Sequence, residues 1–291
     1  MTKSLPFTLI IPAHNEAAVI ERCLKTALAE APDDGSVEVI VAANGCSDDT
    51  VSLAKMAAPQ ATVLDLPTGS KTKAINAANA IASRFPRIYL DADIECSYRS
   101  LLAMAVVLTE PDVMTASPKI RLELGHCNRW IKAYYAAWLK QPFAKSGKGG
   151  AGCYGLSQTA LESIGEFPPI IGDDIWIHTR FPDEQKRLVQ SDALGREVFS
   201  IVRPPKTLWQ QVKVEARRIE GNADVKRDYP SAYVDIAREG GGLGGALKSG
   251  TGPFDLAVFL TAKVLVRIEM RRKRLFGKRT EWTRDLSSRG A

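Results

Sequence analysis

Apolar and polar positions change over in short blocks along the first ninety residues. Phe7–Ile11 is an apolar run followed at once by Pro12 and, soon after, Glu16. It predicts a buried first strand and is too short for a leader segment. Val19, Ile20, Cys23, Leu24, Ala27 and Leu28 then recur at helical spacing within residues 16–30. The β-branched run 37–41 predicts a second strand, closed by Ala42, Ala43, Asn44 and Gly45. Ser47 or Asp48 can cap a helix over 49–58. Residues 61–66 read as a third strand, 71–83 as an alanine-rich helix, and 87–90 as a fourth strand ending at Asp91. Strands and helices alternating at this spacing imply right-handed βαβ units and an α/β fold with a mainly parallel sheet.

Beyond Asp91 the alternation loosens. Residues 113–122 suggest a strand, and 128–140 a helix carrying Trp130, Tyr134, Tyr135 and Trp138. A glycine-rich loop follows over 145–152. A short helix is expected from Asp173 and a longer one over 207–220. Residues 239–252 have linker composition. No internal repeat is visible.

The chain has 291 residues and a net charge of +6. That charge is concentrated at one end, because residues 261–291 hold ten basic and three acidic side chains. The rest is close to neutral, which argues against a nucleic-acid-binding body and for a partner list without nucleic acid. Five cysteines in no C-x-x-C pair, with three scattered histidines, support neither a disulfide framework nor a structural zinc site. Reduced thiols in a cytoplasmic protein are the expectation.

In open α/β sheets, ligands bind beyond the carboxyl ends of the strands. Three polar loops fall there: Pro12-Ala13-His14-Asn15-Glu16, then residues 44–50, then Asp91-Ala92-Asp93. Each loop alone can be turn and cap chemistry; three on one edge suit a nucleotide-sized cleft. Asp91 and Asp93, alternating at a strand end, suit a hard cation shared with phosphate oxygens. Gly69-Ser70-Lys71-Thr72 is not a phosphate-binding P-loop, since Ser70 and Asp65 stand where that motif needs glycine. Lys71 can still reach a phosphate from a helix start. Asp173-Asp174 before an apolar run is either a helix cap or a general base with its neighbour.

These motifs, in this order, together with Lys71-Thr-Lys-Ala-Ile-Asn76-Ala and Gly172-Asp173-Asp174, resemble the family 2 glycosyltransferases of GT-A fold over roughly residues 5–221. The resemblance implies sugar transfer from a nucleotide-diphosphate donor with inversion, assisted by Mg²⁺ or Mn²⁺. By it, Pro12, Ala13, Asn15 and Glu16 form the first nucleotide loop. Asn44 stands where the family usually has a base-facing aspartate, so the base is open, with UDP slightly favoured. Lys71 lies near the donor. Asp91 and Asp93 form the ribose- and metal-contacting pair, and the second acid of Asp173-Asp174 is the base. Arg217 and Arg218 only partly match the family's Gln-x-x-Arg-Trp, because Ile219 follows them. That points to donor contact and single-sugar addition, not processive synthesis. Gly152 and Tyr154 fall where acceptor contacts are expected.

Trp130 and its aromatic neighbours are either an acceptor platform or core. His178, four residues after Asp174, is either a substrate or metal contact or structural. The organisation expected is a catalytic domain over 1–221 with a nucleotide-binding half at 1–95 and an acceptor half at 96–221. A linker at 222–252 and a basic amphipathic segment at 253–291 follow. In that segment Leu256, Leu260, Val264, Leu265 and Ile268 form an apolar side, with Lys263, Arg267, Arg271 and Arg274 opposite. It is either a core helix or a peripheral contact with an anionic inner membrane face. The acceptor is then a glycan or lipid-linked hydroxyl, in cell-surface polysaccharide synthesis. A sugar-phosphate nucleotidyltransferase or a non-catalytic nucleotide- or glycan-binding protein are the other classes the pattern admits.

Overall fold

All seven residues of β1 (Phe7–Ala13) are buried, as a strand covered on both faces must be. In the computed structural model, which describes residues 5–141, 152–233 and 250–275, β1 lies between β2 (Val37–Asn44) and β4 (Arg87–Leu90), parallel to both. β3 (Thr62–Leu66) runs parallel to β2 on the outer side. Ala13 pairs with Ala43, so the first two strands end side by side.

β7 (Cys153–Leu156) then joins β4 antiparallel, placing Tyr154 opposite Tyr89. β6 (Thr115–Leu122) is antiparallel to β7 and parallel to β8 (Lys186–Val189). β5 (Glu95–Cys96) pairs antiparallel with β9 (Phe199–Val202). The strand order is β3-β2-β1-β4-β7-β6-β9-β5.

The helices that cover this sheet follow the expected periodicities. α1 (Ile20–Leu28) buries Ile20, Cys23, Leu24 and Ala27. α2 (Thr50–Ala57) follows β2, and α3 (Lys71–Ile81) is capped by Ser70, whose hydroxyl accepts from Lys73 N–H. α4 (Tyr98–Val107), capped by Ser97, has no counterpart in the sequence reading. All five cysteines are free thiols.

The chain divides into two compact units, residues 1–121 with 148–202, and residues 122–147 with 203–291. The second is built on α5 (Arg129–Trp138), which precedes α6 (Gln158–Ile164) and α7 (Asp173–His178) of the first unit in the chain, and on α8 (Leu208–Asp228) and α9 (Pro253–Leu275). The segment expected as a uniform acceptor half is therefore shared between units.

α8 also runs through the first residues of the expected linker. A capping box of Thr207 and Gln210 starts it, and Gly221 and Val225 continue its buried face. The glycine-rich loop expected over 145–152 and the linker over 239–252 lie, apart from Gly152 and residues 250–252, outside the described residues.

In the second unit, Ile131 and Tyr134 of α5, Val212 and Ala216 of α8, and Val258, Phe259, Ala262 and Val266 of α9 form one core. Glu215 is buried beside it. Arg218 forks onto Glu215 at 2.9 and 3.1 Å, and Lys263 reaches the same carboxylate. Burial works against that charge, yet Arg218 and Lys263 bring the carboxyl down to about 2. Among the described residues, no helix is long and apolar enough to cross a membrane.

Candidate active site

The first two polar loops meet at the carboxyl ends of β1 and β2, and the third, Asp91-Ala92-Asp93, follows β4. Asn15 takes a positive φ of 53°, and its side-chain oxygen accepts from Ser47 N–H at 2.7 Å. Glu16 N–H donates to Thr50 Oγ1 at 2.7 Å, and Ala17 N–H to Asp48 at 3.1 Å. Burial opposes the Asp48 charge, but hydrogen bonds from Thr50 and Ala17 hold its carboxyl below the usual range.

Gly45 (φ +58°) passes so close to the next loop that a Cβ there would lie 2.6 Å from Gly69 N. Asn44 is wholly buried and ties these loops together. Its amide donates to Ala13 O and Ala42 O at 2.8 and 3.2 Å and accepts from Ser70 N–H at 2.9 Å. His14 Nδ1 donates to the Asn44 carbonyl at 2.5 Å. Half-buried His14 and Asn15 form the open side of this corner.

A charged centre lies where β4 ends. Lys71, first residue of α3, places Nζ 2.6 Å from Asp91 Oδ1 and 2.8 Å from Asp173 Oδ1. Tyr154 Oη donates to Asp173 Oδ2 at 2.8 Å, so both oxygens of that carboxylate are held. Burial, and then Asp173, keep the Tyr154 phenol protonated far above its ordinary range. Burial alone would lower the Lys71 pKa, but Asp173, Asp91 and Asp174 raise it. Asp91 is pushed up to about 7: burial and the Asp173 and Asp93 charges raise it, and Lys71 only partly offsets them.

Asp173 is 2% exposed, whereas Asp174 is half-buried, with Oδ1 accepting from Ile175 N–H at 2.8 Å. The arrangement is a half-buried lysine and a buried tyrosine fixing one acid beside a second, more open acid.

Residues 8–155, half of the chain, match the model of glycosyl transferase family 2. The chain belongs to that family. No curated protein matches the sequence. A mannosyltransferase from Pyrobaculum calidifontis, in complex with GDP-Man and Mn²⁺, shares 19% identity and a TM-score of 0.57 over 95% of this chain and 80% of its own. Glucosyl-3-phosphoglycerate synthase from Mycobacterium tuberculosis, in complex with Mn²⁺, UDP-Glc and glycerol 3-phosphate, shares 21% identity and a TM-score of 0.51 over 80% and 82%. At these identities the likeness is one of fold, the mainly parallel GT-A sheet expected from the sequence.

Within this family 2 chain, the residues expected at the site separate into three groups. Lys71, Asp91, Asp173 and Asp174 come together, with Asp93 half-buried two residues beyond Asp91. Asn15 and Glu16 form the laced first loop, whereas Pro12 and Ala13, expected in it, are the buried last residues of β1, and the Asn44 amide is turned inward and is already committed to backbone groups. The remaining expectations are redirected. Tyr154, expected at an acceptor, is 3% exposed and bonded to Asp173. Trp130 belongs to the second unit and packs on Phe254 at 5.6 Å. Arg218 serves Glu215, and Arg217 is half-buried on the same helix. His178 is buried, and its carbonyl accepts from Lys186.

Two contributions were not anticipated. Asn76 exchanges both amide bonds with the Phe167 backbone, at 2.8 and 2.9 Å, and so ties α3 to the segment leading into the Asp pair. It stands in the Lys71 motif, which was its only signal. Gly152, expected at an acceptor contact, makes the other, against Asp91. Its carbonyl accepts from Asp91 N–H at 2.7 Å, its φ is +81°, and a Cβ would lie 2.9 Å from Asp91 Oδ2 and 3.0 Å from Ile94. Gly152→Ala is therefore expected to cost about 1–3 kcal/mol in backbone strain and to displace the Asp91 carboxylate. A lowered melting temperature with weakened donor binding checks it; an unchanged pair of values would contradict it.

Proposed function

We propose that this chain is a metal-dependent inverting hexosyltransferase. It moves one sugar from a nucleotide-diphosphate donor to a hydroxyl of a glycan or lipid-linked acceptor, in cytoplasmic steps of cell-surface polysaccharide synthesis. The observation that carries this reading is the Asp91–Lys71–Asp173 chain at the strand ends with the more open Asp174 beside it. Structural relatives in complex with Mn²⁺ and GDP-Man or UDP-Glc support it. A UDP-sugar is the first donor to test.

Asp91 and Asp93 offer hard carboxylate oxygens, and among the described residues no group of three or more His, Cys, Asp or Glu forms a cage. Two carboxylates fit Mg²⁺ or Mn²⁺ whose other ligands are phosphate oxygens and water. Such an ion, when bound, neutralises charge on the diphosphate. Lys71 adds a cation on the same side, able to exchange a carboxylate for a phosphate oxygen. Asp174 accepts the proton of the acceptor hydroxyl as that oxygen bonds to the anomeric carbon. The bond to the donor oxygen breaks on the opposite face, and its electron pair leaves on the nucleotide diphosphate. Asp173, held by Lys71 and Tyr154, positions the acid pair.

A thermal-shift screen of UDP-, GDP- and dTDP-sugars with Mn²⁺ tests this reading. The matching donor at about 100 times its Kd is expected to stabilise the protein by about 2.7 kcal/mol, and chelator is expected to abolish the shift. No shift with any donor would overturn the reading. A shift without transfer or donor hydrolysis would favour a nucleotide-binding protein.

A further inference from the structure

α9 has two unlike faces. Val258, Phe259, Ala262 and Val266 are buried in the three-helix core. Phe254, Val264, Ile268 and Leu275 are instead 46%, 53%, 54% and 84% exposed. With 3.6 residues per turn, these four fall along one line of the helix. Arg267, Arg271 and Arg274 are also exposed and flank that line. Of the expected apolar side, Leu256, Leu260 and Leu265 pack against that core, whereas Val264 and Ile268 stay open, and the arginines lie beside this open line and not opposite it. At the helix start, Phe254 packs on the exposed Trp130 at 5.6 Å, and the Arg129 guanidinium lies 4.8 and 5.4 Å from the two ring centroids.

A bilayer surface uses all of these groups. Nucleic acid would engage the arginines and leave the aliphatic line in water. A bilayer surface takes aliphatic side chains into the acyl boundary while long cationic ones reach the phosphates. Aromatic rings favour the same interface. The ten basic and three acidic residues of 261–291 demand that the surface be anionic. A helix too polar to cross a membrane can still lie in its plane.

We propose that α9 binds the surface of an anionic lipid bilayer through Phe254, Val264, Ile268 and Leu275. Arg267, Arg271 and Arg274 meet lipid phosphates, and Trp130 anchors the start of the helix. This proposal does not rest on the transfer reaction.

The test is co-sedimentation of the full chain with phosphatidylcholine vesicles, with and without phosphatidylglycerol. Binding to the anionic vesicles only, weakened by salt, is expected. The triple change R267Q, R271Q and R274Q should weaken binding roughly 100-fold, from the usual contribution of each basic residue near such a surface. V264D with I268D should weaken it at least as much. All these side chains are exposed, so wild-type melting temperature and donor-induced shift are expected in both variants. Absent binding, equal binding to neutral vesicles, or wild-type binding by V264D with I268D would each overturn the proposal. So would a dimer, seen by light scattering, that V264D with I268D splits without any vesicle binding, because the face would then join two copies of the chain.

Discussion

Asp174→Asn is expected to lower the transfer rate by about 10²–10⁴-fold, the usual contribution of a positioned base, and to leave donor binding and melting temperature unchanged. The separation follows from the geometry. Asp174 is half-buried and its Oδ1 accepts from Ile175 N–H, a bond that an asparagine oxygen accepts equally well. The helix start is therefore kept while the proton acceptor is lost. Asp173→Asn behaves differently, because it breaks the ion pair with Lys71 and disturbs the bond from Tyr154. It should lower stability and rate together. Single-turnover rates with a matched donor, beside melting curves for both variants, distinguish the two acids. Wild-type turnover by Asp174→Asn would place the base elsewhere.

The first ninety residues were legible because their structure is local. Each strand of β1 to β4 carries its own apolar run, each helix its own period, and each loop the polar residues that its turn requires. Direction was less legible than location. Asn44 falls in the expected loop, yet whether its amide meets a ligand or the Ala13 carbonyl depends on how closely three loops approach.

Tyr154 illustrates a second limit. It reaches Asp173 because β7 inserts antiparallel beside β4, a pairing between segments more than sixty positions apart that no local pattern records. α4 was missed for a third reason: residues 101–107 are apolar all round and show no period. In α9 the period was visible but ambiguous, since apolar residues occupy two sides and only the positions of α5 and α8 decide which is packed.

Lys71→Met is expected to be the most damaging single change to stability at this site. Its side chain is 19% exposed and its ammonium touches two carboxylates, one on a side chain that is 3% exposed. Removing one partner of a buried pair typically costs about 3–5 kcal/mol, on the order of 10 °C in melting temperature for a chain of this size.

The loss should depend on pH in a defined direction. Burial first, then Asp173 and Asp93, already raise Asp91 from 3.8 to about 7 against the opposing pull of Lys71. Without that pull its folded value lies higher still. A carboxyl whose folded value exceeds its unfolded one favours the fold fully only below the unfolded value, and that contribution is lost as pH rises through the folded value. The Lys71→Met deficit should therefore be smallest below about pH 3, under the unfolded carboxyl's value, where Asp91 is neutral in both states, and grow through neutrality. Melting curves of wild type and variant across that range provide the check. A deficit independent of pH would mean that Lys71 matters for packing, and that its charge is not what holds the two acids in place.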